Sequence, residues 1–485
     1  MNIPFHPPER HLDQPATGAG LEQIFSKAAD FLHIDLTLPG NRPAKIYWLL
    51  GMVRTERLND YVVRPLVTID PKTDPVKWIS QGGVWTLVLP PPKDLEEACT
   101  ALCDGCAALE VGKKLFLIPV PTEDKRSIQA PEDEPDQKGA KDSFVESIRN
   151  NTSLIRRRMH SWRLCIRTVV VGRESRTKVD VVWMEGITDP KLVKGTLARV
   201  RKMDVDALLN TQVLTDALTD SQRTPFPLCQ MTQRPDRFCL GLMDGRVGVF
   251  CDGIAQGWLV PGNIAPCFRT PQDRSNQWMV VWGLMAVRFL CVGISLLLPA
   301  GYIAMASFHF GMMPAAMAET IAAARQNVPI PPPLEVVGLL LSFEILQEAG
   351  VKLPQLNGQS VGIIGSVVIG QAAVQAKLLS PVVVVVVAAA GIASYTLPDQ
   401  DMANALRAVR LMLAVLAGVF GMVGIVLGIG WLCCHLSELT PLGVPWLAPF
   451  APDVPKTPRD MTRTPSTLAK FRDLSLRPLD WRNQK

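Results

Sequence analysis

Two small α/β domains followed by an all-α polytopic membrane domain are the architecture that this sequence predicts. Three observations carry the prediction. Up to residue 121, apolar runs of strand length alternate with runs of helical period; an acidic, Pro-bearing stretch without period then separates that unit from a second of similar mix. From Gln277 to His435, apolar runs with almost no charge take over. The 485 residues leave room for about three units at about 150 residues each.

Residues 1–20, rich in Pro and polar side chains, offer little apolar surface to offset the entropy of ordering and are expected to be a disordered arm. They lack the apolar core of a secretory signal, so the part before the membrane is expected in the cytoplasm. In the first domain, 21–121, KIYWLLGMV (Lys45 to Val53), VWTLVLP and KKLFLIPV read as strands, with helices near Glu56 to Pro65 and over the segment after Asp94, which predicts a partly parallel sheet. A linker is expected over 122–142.

The second domain, 143–275, opens with Ser143-x-x-Glu146, a capping box leading into a helix that ends at Arg156-Arg157-Arg158. That triplet could grip an anionic lipid or a second subunit, but a basic helix end is more often a solvated face, since helix C-termini favour basic residues anyway. Arg163 to Val171 and Lys178 to Met184 read as paired strands, Pro190 to Met203 as a helix, and 238–260 as short strands turning at Asp244-Gly245 and Asp252-Gly253.

The membrane domain, 276–436, reads as four spans plus a re-entrant or partial helix. Val280 to Ala306 is long enough to cross, since about 20 residues suffice. Leu334 to Ala349, which carries Glu335, Glu344, Gln347 and Glu348, is the partial one; Val361 to Ala376, Ser380 to Leu397 and Ala408 to Leu432 complete the set. In Val361 to Ala376, Gly362, Ser366, Gly370, Ala373 and Lys377 follow at steps of three or four and share one face of a helix; such a face lets helices approach closely or lines a narrow path. With Gln371 and Gln375 these residues form the candidate ion path. Arg288, Glu344 and Glu348 are the candidate ionisable groups at membrane depth, where a charge costs on the order of 3 kcal/mol unless it faces protein or water. They are expected either to serve an ion path or gate, or to form a locking salt bridge between Arg288 and one glutamate. The tail, 437–485, holds Lys456, Arg459, Arg463, Lys470 and Arg472 and is expected on the cytoplasmic side, which an even number of crossings also requires.

Composition narrows the function classes. Fifty basic against 45 acidic residues, with no basic-aromatic surface repeat, give no reason to expect nucleic acid as a partner. The eleven cysteines are scattered, as befits reduced thiols. Cys99, Cys103 and Cys106 have the C-x3-C-x2-C spacing of an iron–sulfur site, but on a helix they share one face and are expected to pack against a sheet. The G-x-S-x-G match at Gly358 to Gly362 lacks the strand that a nucleophile elbow needs, so Ser360 is expected to cap a helix. The histidines make no H-x-x-x-H pair and no phosphate loop is present. No catalytic residue, metal or cofactor is expected, and no enzymatic activity.

Several motifs in fixed order carry a resemblance: Phe144-Val-Glu-Ser with Asn151 and LIRRR (Leu154 to Arg158), VGRESRTKV, TPFPLCQMTQRPDR (Thr224 to Arg237), GRVGVFCDG (Gly245 to Gly253), FHFGMMP (Phe308 to Pro314), FEILQEAGVKLP (Phe343 to Pro354) and GQSVGIIGSVVIGQAAVQA. From about Lys45 to Pro449 the chain resembles the spore germinant receptor A-subunit family. The resemblance implies a sporulation protein of the inner spore membrane. Its A subunits would form a homo-oligomer and work with B and C subunits as a channel for monovalent ions, in contact with membrane lipid, while the B subunit binds the small nutrient. It also implies that Val361 to Ala376 is the pore helix. Gln375 and Lys377 stand where the family has Glu and Gly, Gly311 and Gln233 replace acidic residues, and Ala140 replaces a Pro. Losing membrane-region carboxylates and gaining a lysine makes the local field less attractive to cations. Alternative expectations are a stage-V sporulation paralogue that amplifies germination and a non-conducting membrane scaffold.

Overall fold

The computed structural model describes residues 12, 14–122, 134, 139–219, 224–326, 328–352, 370–452 and 471–482. In the first unit, strands β1 (Phe31–Leu38), β2 (Arg42–Leu49), β3 (Cys106–Val111) and β4 (Lys114–Pro119) lie side by side in that order. Every pair is antiparallel, with Ile34 opposite Ile46, Ile46 opposite Leu109, and Leu109 opposite Phe116. The partly parallel sheet expected from the sequence is thus an antiparallel meander. Its turns explain why: Gly40 and Asn41 at φ +86° and +59°, and Gly112 at +64°, close short hairpins, which only antiparallel neighbours can use. VWTLVLP, expected as a strand, makes a single bridge from Leu89 to Leu117. Its last residue, Pro90, and the two prolines that follow lack the N–H groups that would continue a ladder.

Strand alternation gives this sheet two apolar faces. Tyr47 and Leu49 face Leu21 of α1 (Gly18–Ile24) and Ala98, Cys99 and Cys103 of α2 (Leu95–Cys103). Ile46 and Trp48 face Leu58, Val62, Leu66 and Ile79. Each such fully buried aliphatic side chain contributes about 1.5–3 kcal/mol. The Asp94 carboxylate accepts from the Glu97 N–H at 2.8 Å and Glu97 accepts from the Lys93 N–H at 2.8 Å, which starts α2 sharply. The Gly18 N–H donates to Glu110 at 3.0 Å, so the last residues of the expected arm belong to this domain.

The second sheet has the order β5 (Leu164–Val171), β6 (Thr177–Met184), β8 (Val247–Cys251), β9 (Gly257–Val260), β7 (Gln230–Thr232), antiparallel throughout. Val179, Val181 and Trp183 pack under α4 (Pro190–Lys202) and α5 (Thr211–Leu218); Val182 and Met184 pack under α3 (Ile148–Arg158) and α6 (Pro235–Met243). The start of α3 differs from the expected capping box. Ser143 Oγ donates to the Phe144 and Gln233 carbonyls, and the Ile148 N–H is satisfied by Asp252 at 3.1 Å. A carboxylate from a distant turn outcompetes the local serine for that donor.

The helical region comprises α7 (Trp278–Ser307), α8 (Ala315–Arg325), α9 (Pro332–Lys352), a short helix over 370–375, α10 (Pro381–Ser394), α11 (Gln400–Phe420) and α12 (Met422–Glu438). Among the described residues, α7 and α11 are long and apolar enough to cross a membrane by length and composition, with mean hydropathy 2.1 and 1.6; α10 and α12 are shorter apolar helices. At 1.5 Å per residue α7 is about 45 Å long and α11 about 32 Å. Ala408 to Leu432, expected as one span, is a hairpin broken at Gly421, whose φ of +62° suits glycine. α12 folds back so closely that a Cβ on Gly424 would lie 2.1 Å from the Leu416 carbonyl oxygen, and one on Gly428 2.5 Å from Leu413.

Both ends of the helical region return to the second domain. Trp446, fully buried beside Phe226 and Leu228, donates from Nε1 to the Pro227 carbonyl at 2.7 Å. Farther along, Leu476 joins the core under β6, Asp473 accepts from Asn263 at 3.3 Å, and Arg472 donates to the Met243 carbonyl. Arg472, one of the basic residues of the tail, is buried; Lys456, Arg459, Arg463 and Lys470 lie outside the described residues, as does most of the expected linker.

Candidate ion path and its polar surroundings

Of the candidate path, Gly362 and Ser366 lie outside the described residues, as does Ser360; Gly370, Gln371, Ala373, Gln375 and Lys377 are described. Gly370 is buried with Val384 of α10 as its neighbour, 3.8 Å from where a Cβ would stand, while Gln371 and Gln375 are exposed. The helix ends at Ala376. The Leu378 N–H returns to the Ala373 carbonyl at 2.9 Å and the Lys377 N–H to Val374 at 3.0 Å, with Lys377 at φ +55°. This is a Schellman cap, in which the left-handed position normally falls to glycine. Lys377 therefore lies beyond the helix and exposed, off the face on which its spacing placed it.

Three residues later the path is tied to its neighbours through Glu335. This carboxylate, on α9 and almost fully buried, accepts from the Ser380 N–H at 2.9 Å and pairs with Arg325 of α8 at 3.4 Å. Ser380 then caps α10 by accepting from the Val382 N–H at 3.3 Å. One buried carboxylate so fixes the junction between the candidate path and α10 to two other helices.

Arg288 does not meet a glutamate. Its guanidinium holds Asp273 at 2.6 and 3.0 Å and the Phe268 carbonyl at 2.8 Å, which locks the early turns of α7 to the segment leading into it. Asp273 is only 4% exposed, so neither charge is left without compensation in the apolar surroundings. Glu344 is paired instead from α11, by Arg410 at 3.0 Å and Arg407 at 3.6 Å. Arg410 is buried and also reaches the Ala390 carbonyl at 3.5 Å. Glu348, one turn on, is exposed. Arg407 and Arg410 escaped the sequence reading, although their spacing of three on an amphipathic run placed both on one helix face.

Of the arginine triplet, Arg156 is buried while Arg157 and Arg158 are exposed. Arg156, wholly buried, grips Asp30 of the first domain through Nε and Nη2 at 2.8 and 2.9 Å. Burial opposes its charge, but the Asp30 carboxylate outweighs that and holds the guanidinium above its ordinary pKa. Arg157 reaches the Thr122 carbonyl at 3.4 Å and Arg158 binds Asp142 at 3.2 Å. Cys99 and Cys103 share α2 as expected, but Cys106 has passed the Gly105 turn and begins β3; all three thiols are buried. Burial pushes both Cys103 and Cys106 up to about 11. Among the described residues no group of His, Cys, Asp and Glu is arranged to hold a metal.

A protein "Uncharacterized membrane protein YfkQ" of Bacillus subtilis is 30% identical over 437 residues, 88% of this chain and 85% of that protein. Spore germination protein KA of the same organism is 35% identical over 329 residues, covering 68% of this chain and 60% of its own length, and spore germination protein A1 is 32% identical over 74% and 75%. The crystal structure of the N-terminal domain of the A subunit of the Bacillus megaterium spore germinant receptor GerK3 matches 52% of this chain and 96% of its own, at 23% identity and a TM-score of 0.41. The family model "Bacillus/Clostridium GerA spore germination protein" matches residues 19–474, and the chain belongs to that family.

Proposed function

We propose that this protein is the A subunit of a spore germinant receptor and that it oligomerises in the inner spore membrane into a nutrient-gated channel for monovalent ions. B and C subunits complete the receptor, and the nutrient binds the B subunit. The sheet domains and the tail face the spore core, and α7, α11 and the shorter apolar helices contact lipid. The observation that carries this reading is the distribution of polarity in the helical region. Trp282, Leu290 and Val426 are exposed on its outside, whereas Glu335 and Arg410 are buried within it. That arrangement suits a hydrocarbon solvent outside and a polar interior. Return of the chain after α12 to the second domain, from which α7 departs, fits an even number of crossings.

In this reading the 370–375 helix is the described end of the ion path, with Gln371 and Gln375 as its polar lining and Gly370 as its close contact to α10. No catalytic step is assigned to any residue. Gly370→Leu tests the assignment in spores: germinant-triggered release of monovalent ions is expected to be blocked while the receptor still assembles. Unchanged release from assembled variant receptors would contradict the path.

A further inference from the structure

The first and second domains meet along a seam of paired groups. Lys27 reaches Glu185 at 2.6 Å, Asp30 takes Arg156, the Ala29 N–H donates to the Ile166 carbonyl at 2.8 Å, and Arg157 reaches the Thr122 carbonyl. A further contact involves His160, just past α3. Its Nδ1 lies 2.6 Å from Asp104 Oδ1 of the first domain and its Nε2 lies 2.7 Å from the Arg157 carbonyl oxygen. Both neighbours of the ring are acceptors. A neutral imidazole carries one N–H and satisfies one of them; only the imidazolium, with two, satisfies both.

We propose that His160 is a pH-sensitive latch between the two sheet domains, closed while the imidazolium bridges Asp104 and the Arg157 carbonyl, and loosened when the ring loses its proton. The hydrogen bond that the ring donates to the Asp104 carboxylate holds the imidazole pKa above its ordinary value, against a smaller opposing effect of burial. A raised folded-state value means that the latch is fully present below the unfolded pKa of about 6.5 and is lost as pH rises through the folded one. The other charged groups along the seam have contacts of their own. Arg156 and Asp30 compensate each other, the Arg157 guanidinium is turned to Thr122, Arg163 lies over Trp162, and the Cys103 and Cys106 thiols beside Asp104 are pushed up to about 11 by burial. Lys27 and Glu185 form their own pair.

Hydrogen exchange on the full chain in lipid nanodiscs tests the latch, with the Ala29 amide reporting the seam and the β3–β4 hairpin amides as the internal control. After correction for intrinsic rates, the protection of Ala29 relative to the control is expected to fall about two- to fivefold between about pH 5.5 and about pH 8.5, the scale of an exposed ion pair. His160→Gln is expected to abolish that fall, since an amide does not titrate. Asp104→Asn leaves the ring titratable without its carboxylate and is expected to move the midpoint to lower pH. Flat protection in the wild-type chain, the same fall in the H160Q chain, or an unmoved midpoint in the D104N chain would overturn the proposal.

Discussion

The sheet domains and the helical region place their apolar side chains in opposite ways. In the sheet domains apolar side chains fill both faces of each sheet, and the buried pair Arg156–Asp30 lies at the boundary between domains. In the helical region the large apolar side chains extend to the outside, and buried ionisable groups such as Glu335 and Arg410 sit between helices. Helices in lipid gain little from burying Leu against Leu, so close glycine contacts and polar pairs take over the task of specifying neighbours. In water, apolar burial builds each domain and a charge pair fixes how two domains meet.

The comparison is broken most directly by removing one arginine from each region. Arg156→Ala leaves Asp30 buried without its partner and is expected to destabilise the chain by about 3–5 kcal/mol, read as a shift of the denaturation midpoint in detergent. Arg410→Ala is expected to cost less, because Arg407 remains beside Glu344 and Glu344 is partly exposed. Equal losses would mean that the helical region is held like a soluble core. Gly428→Leu sharpens the second half of the contrast: its side chain would run into Leu413, with an expected loss of about 1–3 kcal/mol in the same measurement. The smallest effect is a gain. Lys377→Gly relieves a left-handed lysine in the cap of the path helix and is expected to add about 1 kcal/mol, detectable as a rise in thermal midpoint.

Legibility in the sequence followed the same division. Val-rich runs and turn dipeptides located β5, β6 and β8, because period-2 burial and glycine turns are local signals, but 238–243, expected as strand, is the end of α6. Local signals misled where a distant group supplied the partner. Asp252 displaced the Ser143 cap, and Asp30 turned an ordinary basic helix end into a buried pair. Strand direction in the first domain was also misread, since the Cys-bearing segment is helix only up to Cys103 and strand from Cys106. In the helical region, apolar length marked α7, but the same run of hydropathy hid the break at Gly421, which depends on one backbone angle. Arg288 and Glu344 were recognised as charges that need partners; the partners, Asp273 and Arg410, come from elements that no spacing connects to them. Lys377 was singled out in the sequence as the end of the small-residue face. Its meaning as a helix cap, with the side chain off the path, emerged only from the backbone.

The central claim is that the helical region conducts. The most direct measurement is ionic current across a planar bilayer holding the full chain with its candidate B and C partners, before and after addition of germinant. The account predicts a germinant-dependent monovalent current that Gly370→Leu abolishes without loss of assembled complex. A complex that assembles, binds germinant and passes no current would contradict it and leave a membrane scaffold in its place.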